Sequence, residues 1–217
     1  MWKRLREDIR TIKERDPAAK NYTEILLCYP GLHAIWLHRI AHYLHQYKWY
    51  TLARLISHFS RWFTGIEIHP GAKIGRRLFI DHGMGVVIGE TTEIGDDCLI
   101  YTGVVLGGTT LEKKKRHPTL GNRVIVGSNS TVLGAITVGD GARIGSGSVV
   151  VKPVPNGATV VGVPGRIVES VTPEKEELDF EHGNIPDPLS DIMKMLLQLH
   201  HKLEERVKRL ENQVEKD

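Results

Sequence analysis

Apolar positions along this chain recur at three different periods, and each period predicts a different kind of structure. In the first part, Trp2, Leu5, Ile9 and Ile12 fall three and four residues apart, the single stripe of an amphipathic helix. Asp16-Pro17 reads as an N-cap followed by proline at the first helical position, and Tyr29-Pro30 as a further break. Leu32, Ile35, Trp36 and Ile40 then share one face, and a last helix from about Thr51 to Phe63 ends at Thr64-Gly65. Residues 1–65 are therefore expected to form an N-terminal α-helical domain with no evident chemistry of its own.

From 66 to 168 the spacing becomes six. One run is Ile68, Ile74, Ile80 and Val86; after a two-residue phase shift a second is Ile88, Ile94, Ile100 and Leu106; a third is Leu120, Val126, Val132, Val138, Ile144 and Val150. The next position tests those frames independently. Glycine fills it eight times in fourteen (Gly75, Gly89, Gly95, Gly107, Gly121, Gly127, Gly139 and Gly145), where 22 glycines in 217 residues would place one or two. Small residues recur four places after the aliphatic, at Ala72, Thr92, Cys98, Ser130, Ala142 and Ser148. Six residues are too few for a helical hairpin or a propeller blade but suit one side of a parallel β-solenoid. The aliphatic residue points inward, the small one fits a corner, and glycine takes backbone conformations closed to other residues. Three sides make a coil of about eighteen residues, so roughly five coils stack at the strand spacing of about 4.8 Å. The run breaks once, between Leu106 and Leu120, where the polar segment Gly107-Gly108-Thr109-Thr110-Leu111-Glu112-Lys113-Lys114-Lys115-Arg116-His117-Pro118-Thr119 must loop out.

After Pro164-Gly165-Arg166 the pattern changes again. Residues 169–217 read as a polar linker, over 171–188, and an amphipathic helix on which Leu189, Ile192, Leu196, Leu199, Leu203, Val207, Leu210 and Val214 are nearly heptad-spaced. The 203-to-207 step acts as a stutter. Packing on its own protein and self-association as a coiled coil are equal alternatives. The fold class is α+β: helical bundle, β-helix, C-terminal helix. With 29 Lys and Arg against 26 Asp and Glu, the net charge of +3 is too mild to argue for nucleic acid or an anionic membrane. Cys28 and Cys98 make no disulfide framework, the first residues lack the apolar core of a signal peptide, and no apolar run reaches 18 residues. A cytoplasmic protein is expected.

Gly65-Ile66-Glu67-Ile68-His69-Pro70-Gly71-Ala72-Lys73-Ile74-Gly75, followed by Ile80-Asp81-His82-Gly83-Met84-Gly85-Val86-Val87-Ile88-Gly89-Glu90-Thr91, closely resembles the serine O-acetyltransferases, which open cysteine biosynthesis. Leu106-Gly107-Gly108-Thr109, Arg116-His117-Pro118 and Gly162-Val163-Pro164-Gly165-Arg166-Ile167-Val168 match as well, so the resemblance runs from about Asp16 to Val168. It implies a left-handed β-helix, acetyl transfer from acetyl-CoA to L-serine, feedback inhibition by L-cysteine, and a homotrimer or a dimer of trimers, with no metal. By this resemblance His82 is the general base and Glu67, where the family commonly has Asp, its carboxylate partner. Arg116 would grip the serine carboxylate. Asp81 and Asp16 would receive its ammonium, and Glu90 and His117 would complete the pocket. Gly107, Gly108 and Thr109 would line the coenzyme A site, with backbone N–H groups around Gly107-Gly108 as oxyanion donors, and Ser128 and Ser146 would lie farther along the groove between neighbouring solenoids. Many members end in an isoleucine that docks into O-acetylserine sulfhydrylase. This chain ends Val214-Glu215-Lys216-Asp217, which argues against that complex.

Each assignment has a plainer competitor. His82 could be an exposed corner residue, Asp16 a helix cap, Lys113-Lys114-Lys115-Arg116 a solvated loop or a nucleic-acid patch, and Cys98 a core filler. His38, His42 and His45 share a helical face without the acidic or cysteine partner a metal would need, and His69 reads as a cap. Three rival functions share the architecture. A sugar O-acetyltransferase would use the same base, but Asp81 and Arg116 suit a zwitterion better. A γ-type carbonic anhydrase would need a third histidine where Asn122 stands. A non-catalytic scaffold would work through its C-terminal helix.

Overall fold

The computed structural model describes residues 2–170 and 196–208. Four helices come first: α1 Trp2–Arg15, α2 Tyr22–Cys28, α3 Pro30–Gln46 and α4 Tyr50–Thr64. α3 begins at the expected break, since proline at the first helical position has no N–H to lose. α4 stops where Gly65 turns left-handed at φ 73°. Two expectations fail. Asp16-Pro17 starts no helix; α2 is capped by Asn21, whose side chain accepts from the Glu24 N–H. The Asp16 carboxylate instead accepts from the Ala18 N–H at 2.7 Å and the Tyr29 hydroxyl at 2.5 Å. Ile40 is 53 % exposed although Leu32 and Ile35 are buried. α3 turns Gly31, Ala34, His38 and Ala41 inward, and at Gly31 a Cβ would lie 2.2 Å from the Ile80 carbonyl oxygen.

The chain then winds as a left-handed parallel β-helix with three faces. The first face stacks Glu67–Ile68, Val87–Ile88, Val105–Gly107, Thr131–Leu133 and Val149–Val150; the second runs from Lys73–Ile74 to Thr137–Val138; the third runs from Phe79–Ile80 to Ala158–Val161. An antiparallel strand, Arg166–Ser170, pairs with Ala158–Val161 at the end of the third face. The predicted inward aliphatics are buried, apart from Ile74, which packs half-buried against the same core. Each contributes about 1.5–3 kcal/mol of apolar burial. Ala72, Thr92, Cys98, Ser130, Ala142 and Ser148 are buried at the corners.

The glycines after those aliphatics serve a different purpose from the one expected. None of the eight has a positive φ. A Cβ on Gly75 would lie 2.6 Å from the Gly95 backbone, and one on Gly95 would lie 2.5 Å from the Gly121 carbonyl oxygen. Successive coils touch there, so the requirement is space. The left-handed residues stand two places later, at Arg77, Asp97, Arg123 and Gly141 in one corner column.

Along the first face Glu67 pairs with Val87, Val87 with Val105, Val105 with Thr131 and Thr131 with Val149, steps of 20, 18, 26 and 18 residues. Against the eighteen-residue coil, one coil therefore carries two extra residues and another carries eight. The two fall in the corner 81–86, between the third and first faces. The eight fall in 108–118, between the first and second. On the outside of the third face Phe79, Leu99 and Ile125 are covered by Ile12, Ala19, Ile25 and Leu32 of the helical domain. Arg15 and Arg77 both bind Asp97 at 2.6 Å, and Arg77 reaches Glu7 at 2.9 Å, fastening α1 to the solenoid.

Residues 196–208 form part of a separate unit. They are helical, with Leu196, Leu199, Leu203 and Val207 roughly half exposed. The expected helix positions Leu189, Ile192, Leu210 and Val214, the linker 171–188 and the terminal Asp217 lie outside the described residues. Among those described, no helix is long and apolar enough to cross a membrane.

Candidate active site

The two-residue insertion builds the corner Asp81-His82-Gly83-Met84-Gly85. His82 sits at φ 59° with its side chain 80 % exposed. A left-handed non-glycine residue costs on the order of 1–3 kcal/mol, and such strain collects at functional sites. Five other non-glycine residues of this chain share it, so the conformation marks corners as much as chemistry. The nearest carboxylate to the His82 Nε2 is Asp81, 3.9 Å away, beyond hydrogen-bond reach. Glu67 stands on the first-face strand with its Oε2 ion-paired to Arg61 at 2.9 Å. Among the described residues it makes no hydrogen bond to His82. Asp16 accepts from the Tyr29 hydroxyl at 2.5 Å, and the charges of Asp81 and Asp16 add to burial in pushing the Tyr101 hydroxyl pKa up. Ser128 and Ser146 stand one coil apart in the same corner column, where the Gly147 N–H donates to the Ser128 carbonyl at 2.8 Å.

The eight-residue insertion returns to the solenoid at a different edge, across the first face. There the Arg116 guanidinium pairs with Glu90, and that contact holds the Glu90 carboxyl below the usual range. His117 is buried, which pushes its imidazole pKa down. Its Nδ1 accepts from the Thr91 N–H at 3.2 Å, so the neutral ring carries its proton on Nε2. The ring lies against Gly89, where a Cβ would come within 2.0 Å of its Cδ2, and its Nε2 lies near Gly108. The Gly107 carbonyl is fixed by the Gly134 N–H at 3.0 Å, and Thr109 borders Gly134. His69 belongs to the same edge: its Nδ1 accepts from the Gly71 N–H at 3.0 Å. Burial first, then Arg54, pushes His69 down to about 4.

The residues expected to act together thus fall into two groups on opposite edges of the first face. His82, Asp81, Ser128 and Ser146 share one corner column, with Glu67 on the adjoining strand and Asp16 supplied by the turn after α1; Glu90, Arg116, His117, Gly107, Gly108 and Thr109 share the other. Among the described residues no three His, Cys, Asp or Glu side chains are placed to hold a metal. Sequence reasoning missed Thr91, whose hydroxyl meets the Arg116 N–H at 3.0 Å, and Tyr29 and Tyr101 beside the two aspartates. Thr91 follows Glu90 inside a motif already singled out, so its position was the available signal.

Comparison with known proteins places this arrangement. Residues 1–36 match the family described as serine acetyltransferase, N-terminal, and residues 117–152 match the bacterial transferase hexapeptide (six repeats). The chain is 55 % identical over 213 residues to a serine acetyltransferase of Bacillus subtilis, covering 96 % of this chain and 98 % of that one. A solved serine acetyltransferase in complex with cysteine shares the fold at a TM-score of 0.81 and 40 % identity, covering 84 % of this chain and 71 % of that one. The Neisseria gonorrhoeae enzyme in complex with serine gives 0.74 and 43 %, covering 77 % and 69 %. The Brucella abortus enzyme in complex with coenzyme A gives 0.76 and 39 %, covering 79 % and 68 %. An identity this high along nearly the whole chain, together with the helical N-terminal region and the hexapeptide coils, means that the chain belongs to the serine acetyltransferase family, a family of acyltransferases.

Proposed function

We propose that this chain transfers the acetyl group of acetyl-CoA to the hydroxyl of L-serine, giving O-acetyl-L-serine and free coenzyme A, and that two copies build each site. The observation that carries the reading is that the two lengthened coils hold the two kinds of residue the reaction needs. One presents an exposed imidazole with Asp81 as its nearest carboxylate, and the other presents a guanidinium and a buried imidazole. They flank the first face from opposite edges, so the His82 corner of one solenoid meets the Arg116 corner of its neighbour. A head-to-tail contact of this sort closes into a ring, here a trimer.

In the assembled site Arg116 receives the serine carboxylate in a two-pronged grip, with Glu90 holding the guanidinium in place. Asp81 and Asp16 receive the ammonium. His82 takes the hydroxyl proton as the serine oxygen bonds to the acetyl carbon. The bond from that carbon to sulfur then breaks, and His82 returns the proton to the coenzyme A thiolate. Glu67, with Oε2 held by Arg61, offers Oε1 to orient the imidazole. The Gly108 N–H, which donates to nothing among the described residues, and the nearby His117 Nε2–H serve as the oxyanion donors. Coenzyme A runs along the column of Ser128 and Ser146. L-Cysteine, isosteric with serine, competes for the same pocket and acts as the inhibitor. The enzyme works in the cytoplasm, where the unpaired Cys28 and Cys98 stay reduced.

The test is coenzyme A release from acetyl-CoA, followed with a thiol reagent, in the presence of L-serine, a galactoside or no acceptor. Serine-dependent release suppressed by L-cysteine is the expected result. Release with the sugar alone would overturn the acceptor pocket, and no release with any acceptor would overturn the reaction.

A further inference from the structure

We propose that Thr91 is the positioning residue for the serine-carboxylate pocket, acting as a socket that locks the returning end of the long insertion. Each of its polar atoms is committed to residues 115–117. Its hydroxyl oxygen accepts the backbone N–H of Arg116 at 3.0 Å and of His117 at 3.1 Å, and lies 2.9 Å from the His117 Nδ1. Its own N–H donates to that Nδ1 at 3.2 Å. Its carbonyl receives the Lys115 ammonium at 2.5 Å.

The need for a socket follows from the insertion itself. The eight extra residues make no strand, the Leu111 side chain is fully exposed, and the run from Leu111 to Lys115 lies open to water. Such a loop does not of itself fix the residue at its end. Pro118, Thr119 and Leu120 re-enter the second face, but the two residues that would meet substrate precede that anchor. One threonine side chain satisfies both of their amide groups, which would otherwise be half-buried donors without acceptors. It also fixes what His117 presents. An Nδ1 that accepts from a backbone N–H leaves the proton on Nε2, turned toward Gly108. The Lys115 ammonium is held by the same residue although the side chain as a whole lies in solvent, and partial desolvation of the ammonium lowers its pKa. Thr91 touches no reacting atom in this scheme and works through Arg116 and His117.

The kinetic side of the test rests on the serine reading; the structural side does not. Thr91→Val keeps the branched shape and removes the hydroxyl, and Thr91→Ser keeps the hydroxyl. In the full-length protein, amide hydrogen exchange at Arg116 and His117 is expected to quicken at least about tenfold in Thr91→Val, with the solenoid strands unchanged and Thr91→Ser close to the original protein. The serine KM is expected to rise at least about tenfold in Thr91→Val, the acetyl-CoA KM to stay within about twofold, and Thr91→Ser to recover most of the loss. Unchanged exchange together with unchanged serine KM would overturn the proposal. Equal loss in Val and Ser, with a falling melting temperature in both, would reduce Thr91 to ordinary packing and overturn it too. Faster exchange in a protein that does not use serine at all would leave the socket standing and remove the acceptor assignment.

Discussion

The two edges of the first face differ in how much the single chain does for them. At the Arg116 edge the side chains are already wired: Glu90 holds the guanidinium, Thr91 holds the backbone, and His117 is buried with its tautomer fixed. At the His82 edge the imidazole stands in solvent, 3.9 Å from its nearest carboxylate, while Glu67 is engaged by Arg61. A pocket that recognises a charged group needs its donors set before the ligand arrives, because reorganising them would cost affinity. A base that must meet a substrate hydroxyl needs reach, and its final hydrogen bonds tighten only once the site is assembled. The contrast suits one edge for recognition and the other for proton transfer. In the proposed assembly each edge completes the other across two copies.

The largest effect should come from removing the reaching side. His82→Ala is expected to lower turnover by at least about 10²-fold with both KM values nearly unchanged, as steady-state rates would show. Gly89→Ala strikes the wired edge. Its Cβ would lie 2.0 Å from the His117 Cδ2, so the ring must move, and serine kcat/KM should fall by up to about 10²-fold at an unchanged acetyl-CoA KM. Arg116→Lys keeps the charge and loses the fork, so the serine KM should rise about tenfold with little change in turnover. A weaker acetyl-CoA interaction instead would move Arg116 to the other substrate.

The smallest effect is on stability. His38 is buried and pushed down to about 3, and His69 to about 4, in each case chiefly by burial. Both stay neutral in the fold at pH values where the unfolded chain, with histidine near 6.5, has taken up protons. Stability should therefore be full above pH 6.5 and fall as pH drops from there toward 4, with a limiting slope of about 1.4 kcal/mol per pH unit for the fully buried His38. Thermal melts at pH 7.5, 6 and 5 check this, and His38→Leu should flatten the curve. A melting temperature that rises toward pH 5 would contradict the sign.

The solenoid was legible because its interior admits one side chain per six residues, so Ile88 or Val126 can be placed inward by counting alone. The two-residue phase shift after Val86 and the break after Leu106 were legible too, and they hold the two residue groups of the candidate site. The helical cap was read less well. Ile40 fits the apolar stripe of α3, yet the face that packs is chosen by the close approach at Gly31, which periodicity cannot see. Asp16-Pro17 looks like a cap, but its carboxylate is claimed by Tyr29 from thirteen residues away. Glycine counting found the right positions and the wrong cause, since contact between coils depends on register rather than on a residue's own φ. In the candidate site, residues could be named from the sequence but their partnerships could not. Nothing in the spacing of Glu67 and His82 reveals that Arg61 stands beside the carboxylate, and nothing in a single threonine reveals that its hydroxyl serves two amides.

The sharing of each site between copies is tested most directly by mixing two dead variants. His82→Ala and Arg116→Ala chains, carrying different tags, are co-expressed and purified through both tags, so every ring contains both. In a closed trimer of either composition one of the three junctions joins an intact His82 corner to an intact Arg116 corner, so about a third of the original turnover should return. Activity no higher than that of either variant alone, in rings shown to contain both chains, would mean that each site is built within one chain.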